Sequence, residues 1–240
     1  MTPTLGTLYG IGVGPGDPEL ITLKALKVLS RVDHIFASCS TRNNYSLALN
    51  IVRAHLNGAG LEHLPFPMTR ETAVLTAAWE KNARRVLEVL ATGRDAAFVT
   101  LGDPLTYSTF GYLMKTLKRL EPRVRIITIP GITSYNAAAA LAQRPLSEGE
   151  ESIYVVSGAL GAAKLREVVD HADNIVLLKT YRHFEDIYQA LEELQLLDKA
   201  ICVSRCGLEG ETVLYDLREL KGAQLPYLSM IIIKKKTSEV

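Results

Sequence analysis

Cysteine is scarce in this chain of 240 residues: Cys39, Cys202 and Cys206 are the only three, and none forms a C-x-x-C pair. The Cys202-x-x-x-Cys206 spacing can join a zinc site, but two further ligands at suitable spacing are missing, and the five histidines (His34, His55, His63, His171 and His183) show no ligand pattern. We therefore expect no resident metal and no disulfide scaffold, with the thiols reduced and mostly buried. Net charge is nearly absent as well. The 27 Lys and Arg balance 26 Asp and Glu to leave +1, so no global field favours nucleic acid or an anionic membrane. The one basic run, Lys234-Lys235-Lys236, reads as a solvated chain end. Long apolar stretches are lacking: none approaches the ~20 residues that span a bilayer. The N-terminus has no basic segment leading into an apolar one, so a secretory signal is not expected and the cytoplasm is the expected location.

What remains is an ordinary globular composition, 48% hydrophobic and 22% charged, without internal repeats or low-complexity segments. Short apolar runs alternate with helical patterns. Leu8–Val13 reads as a strand entering glycines. Glu19–Val32 places Ile21, Ala25, Val28, Leu29 and Val32 on one helical face, with Asp17 as N-cap and Pro18 at the first helical position. His34–Ala37, Glu62–Phe66, Ala96–Thr100 and Arg125–Ile129 read as strands, and Ser46–Leu56, Glu71–Thr92 and Tyr107–Leu120 as helices. Beyond Leu146, the strand candidates are Ser152–Ser157, Ile175–Lys179, Lys199–Ser204, Thr212–Tyr215 and Leu228–Lys234; helices near Ala162–His171 and His183–Leu194 separate only the first three. The pattern predicts two α/β domains, residues 1–120 and 121–240, with a mainly parallel N-terminal sheet, a mixed C-terminal sheet and a cleft between them. Arg125–Ile129 fits either half.

Four loops follow strands, where open α/β sheets gather ligands. The first, Gly10 to Asp17 (GIGVGPGD), fails the dinucleotide fingerprint in both registers: the place of the third glycine holds Pro15 or Asp17. Pro15 and Pro18 remove N–H donors and Asp17 adds negative charge, so a phosphate cradle is disfavoured. The loop serves either as a packing turn or as a rigid backbone surface for a flat ligand. The second, Thr100 to Thr109 (TLGDPLTYST), is a Gly-Asp-Pro turn followed by the hydroxyls of Thr106, Tyr107, Ser108 and Thr109. In the third, Ile129 to Ala140 (IPGITSYNAAAA), Gly131 permits an unusual turn, Thr133 or Ser134 can cap a helix, and alanines permit close approach. The fourth, Val176 to Arg182 (VLLKTYR), ends an apolar run in a cation, a phenol and a guanidinium.

The order and spacing of GxGPGDPxLxTxKA, GDP about ninety residues later, PGxTS and the strand ending near residue 179 resemble the tetrapyrrole methylases over nearly the whole chain. Within that family, Ser40 to Val52, Phe66–Met68, FVTLGDPLTYST, VLLKTYRHFEDI and LPYLSMIIIKK are most similar to the precorrin-2/cobalt-factor II C(20)-methyltransferases, with the oxygen-independent branch favoured. The resemblance implies S-adenosyl-L-methionine (SAM) as cosubstrate, S-adenosyl-L-homocysteine as product, a tetrapyrrole substrate and a homodimer. It implies cofactor contacts at Pro15, Leu101, Gly102, Asp103, Thr106, Thr133, Ser134, Lys179 and Gly207, with Tyr107 and Asp103 as the groups able to assist proton loss. Many relatives have glycine in place of Leu101 and methionine in place of Lys179, so Lys179 is expected to act through its backbone. Arg42, Arg70, Arg144, Arg182 and Arg205 are the candidates for substrate carboxylates. Competing readings are an NAD(P) or flavin oxidoreductase, a non-catalytic tetrapyrrole carrier, and a family member acting on another precorrin position, on uroporphyrinogen or on diphthine.

Overall fold

The computed structural model describes residues 4–40, 46–56 and 58–235. Arg42 and Lys236 lie outside them. Contacts divide the chain into two compact units, 1–133 and 134–240.

The first unit is built on five strands, β1 (Thr7–Gly12), β2 (His34–Ser40), β3 (Gly60–Phe66), β4 (Ala96–Thr100) and β5 (Arg125–Ile129). They run parallel in the order β3-β2-β4-β1-β5. Side chains alternate across each strand. Ile11, Ile35, Ala37, Ala97 and Val99 join one apolar cluster with α1 (Leu23–Leu29) and α2 (Leu47–Val52). Leu8, Phe36, Phe98 and Leu64 join another with α3 (Thr72–Leu90) and α4 (Phe110–Leu120). Burial on both faces is why β1 and β4 show no polar alternation. The division falls past the boundary expected near 120 because β5 pairs with β1 along its whole length, Thr7 with Arg125 through Ile11 with Ile129.

Two helix starts differ from expectation. The segment Glu19–Val32 is not one helix: Asp17 accepts the N–H of Glu19 to cap a 3-10 turn at Pro18–Leu20, and Thr22 then caps α1 by accepting from Ala25. The apolar face survives, with Ala25, Val28, Leu29 and Val32 buried. Helix α4 begins at Phe110 rather than Tyr107, because Tyr107 adopts a left-handed backbone (φ 52°) incompatible with a helix.

The second unit contains α5 (Ser134–Leu141), β6 (Ile153–Ser157), α6 (Ala163–Val168), β7 (Asn174–Leu178), α7 (Phe184–Glu193), β8 (Ala200–Ser204), β9 (Thr212–Leu214) and β10 (Ser229–Lys234). The sheet order is β6-β7-β10-β8-β9; β6 and β7 are parallel and the other pairs antiparallel, so the sheet is mixed as expected. The Lys234 side chain is not solvated: it is buried at the end of β10 and pairs with Glu148 and with Glu151, whose Oε2 lies 3.8 Å away. Lys235 donates to the Val169 carbonyl. Lys234 and Lys235 therefore close the end of the sheet's central strand, one with two glutamates and the other with a carbonyl.

Candidate active site

Strand order explains how distant motifs meet. β4, β1 and β5 lie side by side and parallel, so the loops leaving Thr100, Gly12 and Ile129 emerge at one end of the sheet. There the backbones touch. Gly102 N–H donates to the Gly14 carbonyl at 2.7 Å and Gly14 N–H returns to the Gly102 carbonyl at 3.4 Å. A Cβ on Gly12 would stand 2.5 Å from Gly102 O and 2.6 Å from Gly131 N; one on Gly131 would stand 2.2 Å from Gly102 O. No side chain fits at either place. Gly102 differs: its φ is +67° and its own Cβ position meets only Ile132 O at 3.9 Å, so glycine is needed there for conformation rather than for space. Its neighbour Leu101 has no positive φ and packs on the α1–α2 side of the core, which is why leucine is tolerated at 101.

Asp103 ties this cluster together. One carboxylate oxygen accepts the Leu105 N–H at 2.9 Å and the Thr106 hydroxyl at 3.4 Å, and the other accepts the Gly131 N–H at 3.2 Å. The third loop is thus fastened to the second through a side chain 28 residues away in sequence. In the hydroxyl cluster, Ser108 accepts the Phe110 N–H at the start of α4 and bonds Thr100 Oγ1 at 2.9 Å, a structural duty. Tyr107 is exposed, and Pro15 is buried in the first loop.

Thr133 stands out in the third loop. Its Oγ1 is shut off from solvent and has no hydrogen-bond partner among the described residues. It does not cap a helix. A buried hydroxyl without a partner costs about 1–3 kcal/mol, a cost that a polar ligand atom would remove.

The remaining expected contacts belong to the second unit. Ser134 opens α5. Lys179 follows β7 with φ 61°, left-handed, which suits a residue acting through its main chain. Gly207 follows β8 with φ 74°, and its N–H donates to the Glu211 carboxylate. β7 and β8 both run antiparallel to β10, so Lys179 and Gly207 share one end of that sheet. Among the arginines, Arg144 is half-buried and donates one guanidinium N–H to the Lys199 carbonyl at 2.8 Å. Arg70, Arg182 and Arg205 are exposed.

No group of three metal-ligating side chains occurs among the described residues. The thiols are buried, and burial pushes Cys202 and Cys206 up to about 11, leaving them protonated at neutral pH.

A two-unit α/β protein with glycine loops gathered over β4-β1-β5 fits one family. Residues 7–221 match the tetrapyrrole (corrin/porphyrin) methylases, and the chain belongs to that family. It is a methyltransferase of this type, and its relatives narrow the group further. It is 33% identical over 233 residues to a cobalt-precorrin-2 C(20)-methyltransferase of Salmonella typhimurium, covering 96% of this chain and 97% of the relative. It is 35% identical over 239 residues to a probable cobalt-precorrin-2 C(20)-methyltransferase of Methanocaldococcus jannaschii, covering 98% and 99%. The fold matches that of uroporphyrin-III C-methyltransferase from Thermus thermophilus complexed with S-adenosyl homocysteine (TM-score 0.69, 22% identity, 96% and 98% covered).

Proposed function

We propose that this enzyme transfers the methyl group of SAM to carbon 20 of a dimethylated tetrapyrrole, cobalt-factor II in preference to metal-free precorrin-2. The observation that carries the reading is end-to-end similarity to two relatives, one bacterial and named a cobalt-precorrin-2 C(20)-methyltransferase, one archaeal and named a probable one.

Two features of the first unit support such a cosubstrate. The close-packed backbones of Gly12, Gly102 and Gly131 leave no room for a side chain where three loops meet, and Thr133, two residues beyond Gly131, carries a buried Oγ1 without a partner among the described residues. Pro15, Leu101, Gly102, Asp103, Thr106 and Thr133 are the proposed contacts from this unit. Bound SAM supplies an already activated methyl group. What the chain contributes is alignment, which can recover ~7–11 kcal/mol of barrier when donor and acceptor are held in line. Asp103 contributes by holding two loops in register; both of its carboxylate oxygens are already committed to donors of the protein. Tyr107, exposed at a strained backbone position, is the proposed group for assisting loss of the ring hydrogen.

We further propose a homodimer acting in the cytoplasm. No helix among the described residues is long and apolar enough to cross a membrane. Sedimentation giving the 26.4 kDa monomer at micromolar concentration would refute the dimer. Turnover of labelled SAM against a panel of reduced and cobalt-loaded tetrapyrroles tests the activity. Label should enter cobalt-factor II fastest, and binding without transfer would make the protein a carrier.

A further inference from the structure

The second unit carries a cluster of two tyrosines around Arg182, one of the arginines expected to meet substrate carboxylates. Tyr181 and Tyr227 meet edge to face with ring centroids 5.0 Å apart, and the Arg182 guanidinium lies 5.5 Å from the Tyr181 ring centroid. Tyr227 is 64% exposed and Arg182 is exposed. Among the described residues Arg182 pairs with no carboxylate, whereas Arg85, Arg119, Arg123, Arg166 and Arg218 each do. An aromatic pair topped by an unpaired guanidinium is left open to solvent at the carboxyl end of β7.

The cluster stands on a rigid base. Thr180, fully buried, donates to the Ser229 carbonyl at 3.2 Å; Ser204 and Ser229 share a 2.7 Å hydroxyl contact; Ser229 donates to the Pro226 carbonyl at 2.8 Å. Because Ser229 Oγ gives its proton to Pro226, Ser204 is the donor to Ser229. These hydroxyls pin the segments on either side of the cluster: Tyr181 follows Thr180, and Tyr227 follows Pro226. The left-handed turn at Lys179 lifts the chain out of β7 and presents Tyr181 and Arg182 together.

We propose that Tyr181, Arg182 and Tyr227 form a binding clamp for a flat polycarboxylate macrocycle, the guanidinium taking a peripheral carboxylate and the exposed Tyr227 ring lying against the ring face. This rests on the reading that the substrate is a tetrapyrrole, and it assigns part of that substrate's recognition to the second unit. The chemistry matches. Arg offers a planar fork to carboxylate oxygens, and an aromatic face supplies sequence-independent stacking area. Tyr181, partly buried against the core, holds the exposed Tyr227 in a fixed mutual geometry, so little entropy is lost when a planar ligand settles on it.

The test is steady-state turnover of labelled SAM with cobalt-factor II, using Arg182→Gln, Arg182→Lys and Tyr227→Ala. Arg182→Gln and Tyr227→Ala should each raise KM for the tetrapyrrole at least fivefold. The KM for SAM should stay within twofold and kcat within threefold, with Arg182→Lys in between. Wild-type KM values in both variants would overturn the clamp while leaving the methyltransferase reading intact. Should the wild type transfer no methyl group, that reading falls by itself, and titration of the porphyrin absorption band with uroporphyrin then tests the clamp. Loss of affinity in Arg182→Gln and Tyr227→Ala supports it; equal binding by all proteins, or none by the wild type, overturns it.

Discussion

Replacing Gly131 by alanine is the most discriminating structural perturbation of the close-packed glycines. Unlike Gly102, Gly131 has no positive φ, so an added methyl group acts through sterics alone. That methyl would lie 2.2 Å from Gly102 O and 2.7 and 2.8 Å from the C and Cα atoms of Gly12, all main chain of two other loops, with no flexible side chain to yield. Overpacking costs typically ~1–3 kcal/mol, and backbone on every side puts this case near ~3 kcal/mol. At roughly 2–4 °C per kcal/mol for a protein of this size, the melting temperature should fall by roughly 6–12 °C. Gly111→Ala is the control: in α4 an added Cβ meets nothing within 4 Å, so the change should stabilise by ~0.5 kcal/mol. Scanning calorimetry reads both, and titration calorimetry reads S-adenosyl-L-homocysteine affinity. If the loops part to relieve the clash, affinity drops instead of stability. A Gly131→Ala protein with wild-type melting and wild-type affinity would refute the convergence of the three loops.

Two further outcomes follow from named contacts. Asp103→Ala removes the acceptors for the Leu105 and Gly131 N–H groups, so S-adenosyl-L-homocysteine affinity should drop by at least ~1 kcal/mol, while Asp103→Asn, which keeps one of the two acceptor oxygens, should lose less affinity and leave the pH profile unchanged. A thousandfold loss of kcat in Asp103→Asn at full cofactor affinity would instead make Asp103 the base. Acid should destabilise the first unit through His34 and Glu62. Burial holds His34 below its ordinary 6.5, so the unfolded chain takes up that proton first and stability, complete at neutral pH, falls as pH drops below about 6.5. The hydrogen bonds from Arg85 hold Glu62 below its ordinary 4.5, which adds a second loss in the same direction below about pH 4.5. Thermal melts from pH 8 to 3 should show both steps, with His34→Gln removing the upper one; a melting temperature flat down to pH 5 would contradict the first.

Much of the fold was legible because burial on both faces of a parallel sheet writes itself as uninterrupted apolar runs. Ala96–Thr100, buried along its whole length, has the expected bounds for that reason. Features set by backbone conformation or by distant partners were not. Nothing in LTYST announces that Tyr107 is left-handed and delays α4 to Phe110, because tyrosine rarely adopts that conformation. Lysines 234 and 235 look solvated until β10 carries them beside Glu148 and the Val169 carbonyl. The bond from Arg144 to Lys199 O likewise needs a partner 55 residues away. The motifs of the candidate site could be read one by one, and family resemblance supplied their roles. Their physical union, Asp103 to Gly131 and Gly14 to Gly102, depends on β1 lying between β4 and β5, an order no local pattern encodes.

The central claim is the carbon that receives the methyl group. Product made from cobalt-factor II and carbon-13-methyl SAM should show in its NMR spectrum a single new methyl signal on the meso carbon C(20). Label on a pyrrole β-carbon, or on any other ring position, would contradict the assignment.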